Sequence, residues 1–293
     1  MVKWRGRETS RNVEDRRSAA GAAGASGLVI MLLRLVLSRF GIGGVVLLAG
    51  GFFALTAIGV NPLALLSGQS GGARAPSAAD QEAYNFSSVI LAETEKTWTD
   101  IFANAGARYQ PPVLVVYSRQ TPTACGSGSA AAGPFYCPAD RKVYLDTSFF
   151  QELSQRFGAP GDFAAAYVIA NEIGHHVQTI TGTSEEVRKA QSRTDQTGQN
   201  LLQVKMELQA DCYAGVWANH ADSRSGLLEE GDIEEGLRAA EQIGDDTLQR
   251  NAGRRVTPDS FTHGSSEQRM RWFTAGYRSG DVASCDTFGA GAL

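Results

Sequence analysis

Asn171-Glu172-Ile173-Gly174-His175-His176 is the most informative stretch of this 293-residue chain. It lies in a segment whose hydrophobic residues recur every three to four positions, which is the period of an amphipathic α-helix. On such a helix Asn171 and His175 share one face, because residues four apart lie one turn above each other. Glu172 lies about 100° around the helix from Asn171. The stretch therefore presents an amide, a carboxylate and an imidazole on adjoining faces of one predicted helix.

The spacing is that of the His-Glu-x-x-His motif with the first histidine replaced. In that motif two histidines one turn apart bind zinc, and the glutamate acts as a general base. Glu172 and His175 occupy the expected positions, whereas Asn171 takes the place of the first metal ligand. Alone, the pattern predicts a zinc site only weakly, because solvated polar residues on a helix produce it as well.

A second predicted helix contains Glu207-Leu208-Gln209-Ala210-Asp211. Glu207 is a candidate carboxylate ligand, and Asp211 follows one turn later on the same face, where it can accept a hydrogen bond from a ligand side chain. Solvated helix charges are the alternative for this segment taken alone. Together the two segments describe a zinc site of two histidines and one glutamate with one histidine missing.

Charge divides the chain into a basic start and an acidic remainder. Residues 1–39 contain eight Lys and Arg against three Asp and Glu, a net charge of +5, so the rest carries −9 of the total of −4. An acidic body argues against nucleic acid as a partner, because such binding requires basic surface.

Residues 40–66 contain no charged side chain. We expect one transmembrane helix at 40–62, because about 20 apolar residues cross a bilayer. Basic residues flank only its N-terminal side, so the positive-inside rule places 1–39 in the cytoplasm as a basic tail and the main domain outside the cell membrane. A cleaved signal peptide and a buried soluble helix are the alternatives. The signal peptide fits poorly, because the apolar run is long and begins well inside the chain.

Residues 63–80, rich in Gly, Ser and Ala, predict a flexible linker before a domain at 81–293. A small sheet beside several helices makes that domain α+β and mostly helical. Strands are expected at 113–117 and 143–145, a loop at 126–133, and helices at 83–103, 149–157, 163–180, 184–218, 229–248 and 265–276.

Four cysteines, Cys125, Cys137, Cys212 and Cys285, all follow the apolar run. An even number on the predicted outer side favours disulfides. Of the three possible pairings, Cys125 with Cys137 is favoured because it closes a short loop, which leaves Cys212 with Cys285. Free buried thiols are the alternative.

Two further histidines are candidates for the site. His263 precedes a predicted helix and is a candidate catalytic residue that stabilises an oxyanion, although an exposed or helix-capping histidine is the favoured alternative. His176 is a candidate substitute for the missing ligand, paired with Glu172. It points about 100° away from His175, so both histidines cannot easily bind one ion.

Further motifs occur in order along the chain. They are Trp4-Arg5-Gly6-Arg7, Asn12-Val13-Glu14-Asp15-Arg16-Arg17, Cys125-Gly126, Gly133-Pro134-Phe135-Tyr136-Cys137-Pro138, Val143-Tyr144-Leu145-Asp146, Glu172-Ile173-Gly174-His175-His176-Val177-Gln178, Glu207-Leu208-Gln209-Ala210-Asp211-Cys212 and Thr262-His263-Gly264-Ser265-Ser266-Glu267-Gln268-Arg269. Over nearly its whole length the chain thus resembles the neutral zinc metallopeptidase family of bacterial single-pass membrane proteins. The resemblance implies a zincin-like fold, with residue 171, His175 and Glu207 on zinc and Glu172 as general base.

Peptide-bond hydrolysis, a peptide or protein substrate and Zn²⁺ as cofactor follow from the resemblance, and Asn171 departs from it. An amide is a poorer zinc ligand than imidazole, and Asn is shorter than His, so zinc is expected to be weakly bound or absent. One expected function is a membrane-anchored zinc metallopeptidase with a weakened site. The alternative is an inactive pseudopeptidase that serves as a membrane-tethered peptide-binding or scaffolding module. An engineered change at Asn171 is a further alternative to natural drift.

Overall fold

The computed structural model describes residues 1–18, 75–129, 133–155, 161–289 and 291. The chain divides into two compact units, one made of Met1–Asp15 with Ala78–Leu293 and the other of Arg16–Ser77. The first unit is the expected mostly helical α+β domain. The predicted transmembrane helix at 40–62 and most of the predicted linker at 63–80 lie outside the described residues. None of the helices in the described part has the length and apolar character needed to cross a membrane.

Two small sheets form in the described part of the chain. A four-stranded sheet has the order β1-β2-β6-β5, with β2 and β6 parallel and β5 antiparallel to β6, and β3 pairs with β4 in a separate antiparallel hairpin. Because β5 ends the strand order, it forms one edge of the larger sheet. The strands are β1 (Val13–Arg16), β2 (Val113–Tyr117), β3 (Gln120–Thr123), β4 (Gly126–Ser129), β5 (Phe135–Cys137) and β6 (Lys142–Asp146).

Eight α-helices accompany the sheets in the described ranges. They are α1 (Ala78–Asn104), α2 (Phe149–Gln155), α3 (Asp162–Thr181), α4 (Thr183–Gln191), α5 (Gln196–Ser225), α6 (Asp232–Gln242), α7 (Asp245–Asn251) and α8 (Ser266–Ser279).

The predicted strand at 113–117 is confirmed, and that at 143–145 is confirmed with one more residue at each end. The predicted loop at 126–133 is partly wrong, because Gly126–Ser129 forms β4. The predicted linker also runs too far, since α1 begins at Ala78.

Two predicted helices are each divided in the structure. The helix expected at 184–218 is α4 and α5, because Asp195 begins a new helix by accepting a hydrogen bond from the backbone N–H of Gly198 at 2.9 Å. The helix expected at 229–248 is α6 and α7. They separate near Gly244, where a side chain would collide with the backbone of Ser266. A polar cap and a close backbone approach thus override a continuous helical pattern.

The first residues of the chain belong to the domain. The backbone N–H of Val2 donates to Asp162 Oδ1 at 2.9 Å, and that of Lys3 donates to the carbonyl of Leu227 at 2.9 Å. The prediction of a separate basic tail over 1–39 therefore fails for Met1–Asp15.

Both favoured disulfides are present. Cys125 is bonded to Cys137, and Cys212 is bonded to Cys285. No cysteine is free, so the alternative of buried thiols is wrong. The second bond ties the segment after α8 to the middle of α5.

Helix α3 is the centre of the core. The predicted apolar stripe is confirmed, with Phe163, Tyr167, Ala170 and Val177 all buried. Gly174 lies in the same stripe, and a Cβ atom there would come within 3.0 Å of Ala210 Cα and 3.1 Å of its carbonyl oxygen on α5. The bare glycine therefore permits a close crossing of α3 and α5. This crossing brings the two polar segments of the sequence face to face.

Candidate metal centre

Two of the predicted metal ligands meet across the helix crossing. His175 Nε2 on α3 lies 3.3 Å from Glu207 Oε2 on α5. The other oxygen of Glu207 accepts a hydrogen bond from Gln203 Nε2 at 2.9 Å, and His175 Nδ1 contacts Gln178 Oε1 at 2.9 Å. Each group is thus held from behind, with one nitrogen and one oxygen facing a shared point.

The two groups shift each other's charge. Burial alone would lower the pKa of His175, but the Glu207 carboxylate raises it to about 10. Burial likewise opposes the charge on Glu207, and His175 holds the pKa of that carboxyl at about 2. At neutral pH the pair is therefore an imidazolium beside a carboxylate.

Asn171 occupies the position of the third predicted ligand, and its amide nitrogen is engaged in a hydrogen bond. Its Nδ2 atom donates to Asp211 Oδ1 at 2.8 Å. An ionised carboxylate only accepts hydrogen bonds, so the amide nitrogen must be the atom that faces it. A histidine placed there has two ring nitrogens, one for Asp211 and one for a metal ion. Asn171 keeps the hydrogen bond and lacks the second nitrogen.

Asp211 is the buried carboxylate at the centre of a polar network, and its expected role as an acceptor behind residue 171 is confirmed. Arg269 contacts both of its oxygens, with Nε 2.8 Å from Oδ2 and Nη2 2.9 Å from Oδ1. The hydroxyl of Tyr167 donates to Oδ1 at 2.5 Å. Asp211 has no exposed surface, and Arg269 is 3% exposed. The bidentate arginine therefore compensates a charge that water cannot reach.

Glu172 lies in the same cavity wall as His175 and Glu207. Burial raises the pKa of Glu172 to about 7, against the lowering effect of the neighbouring His175. A carboxyl with that pKa exchanges protons readily at neutral pH, which suits a general base or acid.

His263 lies in the wall of this cavity as well. The backbone N–H groups of Thr262, His263 and Gly264 donate to Asp245 Oδ2 at 2.6, 2.6 and 3.2 Å and so fix the turn. The side chain of His263 is 50% exposed, and its Nδ1 atom is 3.4 Å from Asp245 Oδ1. Its contact with Asp245 raises the pKa of the ring.

His176 does not replace the missing ligand in this structure. Its Nε2 atom donates to the carbonyl of Gln110 at 2.7 Å, and its Nδ1 atom is 3.2 Å from the Tyr136 hydroxyl. The ring is buried against Tyr109 and Tyr136 and does not line the cavity. The alternative pairing of His176 with Glu172 is therefore wrong.

The cavity has a volume of about 710 Å³. Its lining includes residues of the edge strand β5 and its flanks, and residues of α4 and α5. Glu172, His175, Glu207 and His263 lie in its lining together with Asn171 and Arg269. The residues that the sequence placed in one site therefore share one space.

Two of the three predicted ligand positions offer atoms of the types that zinc binds. These atoms are His175 Nε2 and Glu207 Oε2, and they face each other. At the third position the nitrogen of Asn171 is held by Asp211, which leaves at most an amide oxygen. Two such ligands would hold a zinc ion more weakly than three.

Several side chains of the site were not predicted from the sequence. Tyr167 belongs to the apolar stripe, so periodicity assigns it to the core and not to the Asp211 network. Arg269 lies 58 positions from Asp211 and appears only as a motif residue. Gln178 follows His175 by three positions, which is about one helical turn. That spacing is the signal in the sequence that indicates the contact between the two side chains.

Replacement of Arg269 by Met should leave Asp211 as an uncompensated buried charge. We expect the free energy of unfolding to fall by about 3–5 kcal/mol, as measured by urea denaturation of the full chain. Arg250 is a matched control, because it pairs with Asp246 but is 56% exposed. Arg250→Met should change stability by at most about 1 kcal/mol. Equal losses in the two variants would contradict the role assigned to Arg269.

The sequence matches a protein family and several relatives over much of its length. Residues 2–288 match the family model described as "Putative neutral zinc metallopeptidase". The "Uncharacterized protein YpfJ" of Escherichia coli (strain K12) is 46% identical over 299 residues, covering 98% of this chain and 99% of that protein. The "Uncharacterized protein Rv2575" of Mycobacterium tuberculosis (strain ATCC 25618 / H37Rv) is 43% identical over 195 residues, covering 63% and 65%.

No solved structure matches the chain significantly. The family match spans almost the whole sequence and includes both helices of the site. Together with the facing His175 and Glu207 at the crossing of those helices, it shows that this chain belongs to the neutral zinc metallopeptidase family.

Proposed function

We propose that this chain binds a peptide or protein segment in the cavity and hydrolyses it with a zinc site that Asn171 has weakened. The observation that carries the proposal is the distance of 3.3 Å between His175 Nε2 and Glu207 Oε2, in a cavity that also contains Glu172. Family membership supplies the class of reaction.

The shape of the cavity supports a peptide as the occupant. Strand β5 is an edge of the sheet, and Phe135 and Tyr136 on it line the cavity. An extended peptide that lies along a sheet edge gains main-chain hydrogen bonds, with pockets for alternate side chains. Such a peptide would pass beside Glu172 and His175 on α3.

Glu172 is the proposed general base. Its pKa of about 7 allows it to take a proton from an attacking water and to return it to the leaving amine. His175 and Glu207 would hold the metal ion, which when bound supplies a Lewis acid for the carbonyl and an acidified water. His263, from the same cavity wall, donates a hydrogen bond to the developing oxyanion.

Attachment to a membrane through residues 40–62 is part of the proposal and rests on their apolar sequence. The packing of Met1–Asp15 against the domain changes the topology that we expect for this attachment. Because segments that pack together cannot lie on opposite sides of a membrane, Met1–Asp15 and the rest of the domain would lie on the same side, in place of the opposite sides that the sequence predicted.

A pseudopeptidase is the second candidate function. The observation that favours it is the hydrogen bond of Asn171 Nδ2 with Asp211, which commits the amide nitrogen to a structural role. In this form the cavity retains peptides as a membrane-tethered binding or scaffolding module and cuts none of them.

Replacement of Asn171 by His should restore the third ligand while a ring N–H keeps the hydrogen bond to Asp211. We expect zinc affinity to rise by at least about 10–100-fold, as measured by chelator competition on the full chain, and peptide hydrolysis to rise with it. The full chain is required because Met1–Asp15 is part of the folded domain. Asn171→Leu is the control, since it offers neither the nitrogen nor the hydrogen bond.

The same measurements separate the two functions. Weak zinc binding with slow cleavage in the unaltered chain, abolished by Glu172→Gln, supports the weakened peptidase. Peptide binding without zinc or cleavage in the unaltered chain, with both gained in Asn171→His, supports the pseudopeptidase. Failure of Asn171→His to bind zinc would contradict a metal site at His175 and Glu207.

Same-side topology is tested with two exposed threonines, Thr9 near the start of the chain and Thr197 in α5. We expect Thr9→Cys and Thr197→Cys to react alike with a membrane-impermeant maleimide in intact cells, because both lie in one folded unit. Labelling of one variant and protection of the other would restore the single-pass arrangement.

A further inference from the structure

Two buried glutamines lie behind the metal-facing pair. Gln178 on α3 has no exposed surface and Gln209 on α5 is 8% exposed. Burying an amide is unfavourable unless its donors and acceptor are satisfied. In this domain they are satisfied by a chain of hydrogen bonds that begins at His175 and ends at the backbone of Cys285.

The order of donors and acceptors in this chain is fixed by its ends. Gln178 Nε2 donates to the carbonyl of Met206 at 2.7 Å, and a carbonyl can only accept. The Oε1 atom of Gln178 must therefore be the one that faces His175 Nδ1 at 2.9 Å. An amide oxygen only accepts as well, so the proton of this contact lies on Nδ1.

Gln209 fixes the second donor of Gln178. Its Nε2 atom donates to the carbonyl of Cys285 at 3.2 Å, which leaves its Oε1 atom to accept from Gln178 Nε2 at 3.1 Å. Cys285 is held in place by its disulfide with Cys212 on α5. Each amide in the chain therefore has one permitted orientation.

We propose that Gln178 and Gln209 are positioning residues that keep a proton on His175 Nδ1, so that a metal ion binds at Nε2 in place of the proton there. This role rests on the proposed function, since a metal ion would displace the proton of Nε2 and leave the proton of Nδ1 in its hydrogen bond with Gln178. A metal-binding histidine generally donates its other ring N–H to such a partner, which fixes the ring and increases its affinity. The amide chain extends this restraint from the ligand to the disulfide that anchors the end of the domain.

The first arm of the test needs no metal. In the full chain labelled with ¹⁵N-histidine, the Nδ1–H proton of His175 should appear as a slowly exchanging resonance, identified by its loss in His175→Gln. We expect Gln178→Leu to abolish the slow exchange and Gln209→Leu to speed it. Gln178→Glu should retain the proton, because a carboxyl oxygen still accepts it. Gln196→Leu is the control, since this glutamine of α5 is exposed and its side chain donates to Asn200 Oδ1.

The second arm measures Co²⁺ affinity and the Co²⁺ absorption spectrum in the Asn171→His background. In that background Gln178→Leu should weaken Co²⁺ affinity by about 10–100-fold, and Gln209→Leu should weaken it less. Gln178→Glu should retain most of the affinity that Gln178→Leu loses.

The two arms separate this inference from the proposed function. Failure of Asn171→His to bind Co²⁺, with the proton protected as expected, would overturn the metal site and leave the hydrogen-bond chain supported. Binding of Co²⁺ with equal affinity and unchanged proton exchange in Gln178→Leu would overturn the positioning role.

Discussion

The site depends on the buried carboxylate of Asp211. A charge without exposed surface is costly unless its oxygens are fully hydrogen-bonded. Here Arg269, Tyr167 and Asn171 supply that compensation from α8 and α3. The need to satisfy one carboxylate on α5 therefore fixes where both other helices lie. Glu207, one turn before Asp211, is placed against His175 as a consequence.

The same constraint explains how the domain tolerates asparagine at position 171. Asp211 requires a donor from that position, and the Asn171 amide supplies one at 2.8 Å. An apolar residue there would remove that donor from a fully buried charge. In the proposed site a histidine would support both the fold and a metal ion, whereas asparagine supports the fold. The folding role and the metal role of this position are thus separable.

The close approach at Gly174 and Ala210 adds a steric condition to the electrostatic one. A side chain at Gly174 would press on the backbone of α5 and separate His175 from Glu207. The disulfide between Cys212 and Cys285 then holds the chain end against the back of the site, where Gln209 and Gln178 lie. Geometry at the facing pair is therefore restrained from several directions.

Much of this organisation could be predicted from the sequence, and the failures have physical causes. Helical spacing predicted that Asn171 and His175 share one face of a helix, and that Glu207 and Asp211 share a face of another, because residues four apart lie one turn above each other whatever the tertiary context. The edge strand β5 has only three residues, too few for a periodic signal. Arg269 and Gln209 act through contacts between distant segments, which spacing does not encode. The packing of Met1–Asp15 against the domain was missed because basic residues beside an apolar run indicated orientation in a membrane.

The most direct test of the account is to count the imidazole ligands of bound zinc. X-ray absorption at the zinc edge, on the full chain loaded at high zinc concentration, distinguishes imidazole nitrogen from oxygen ligands. One imidazole ligand, from His175, is expected in the unaltered chain, and two are expected in Asn171→His. Two imidazoles in the unaltered chain would show that another histidine completes the site, and would contradict the assignment of Asn171 as the position of its missing ligand.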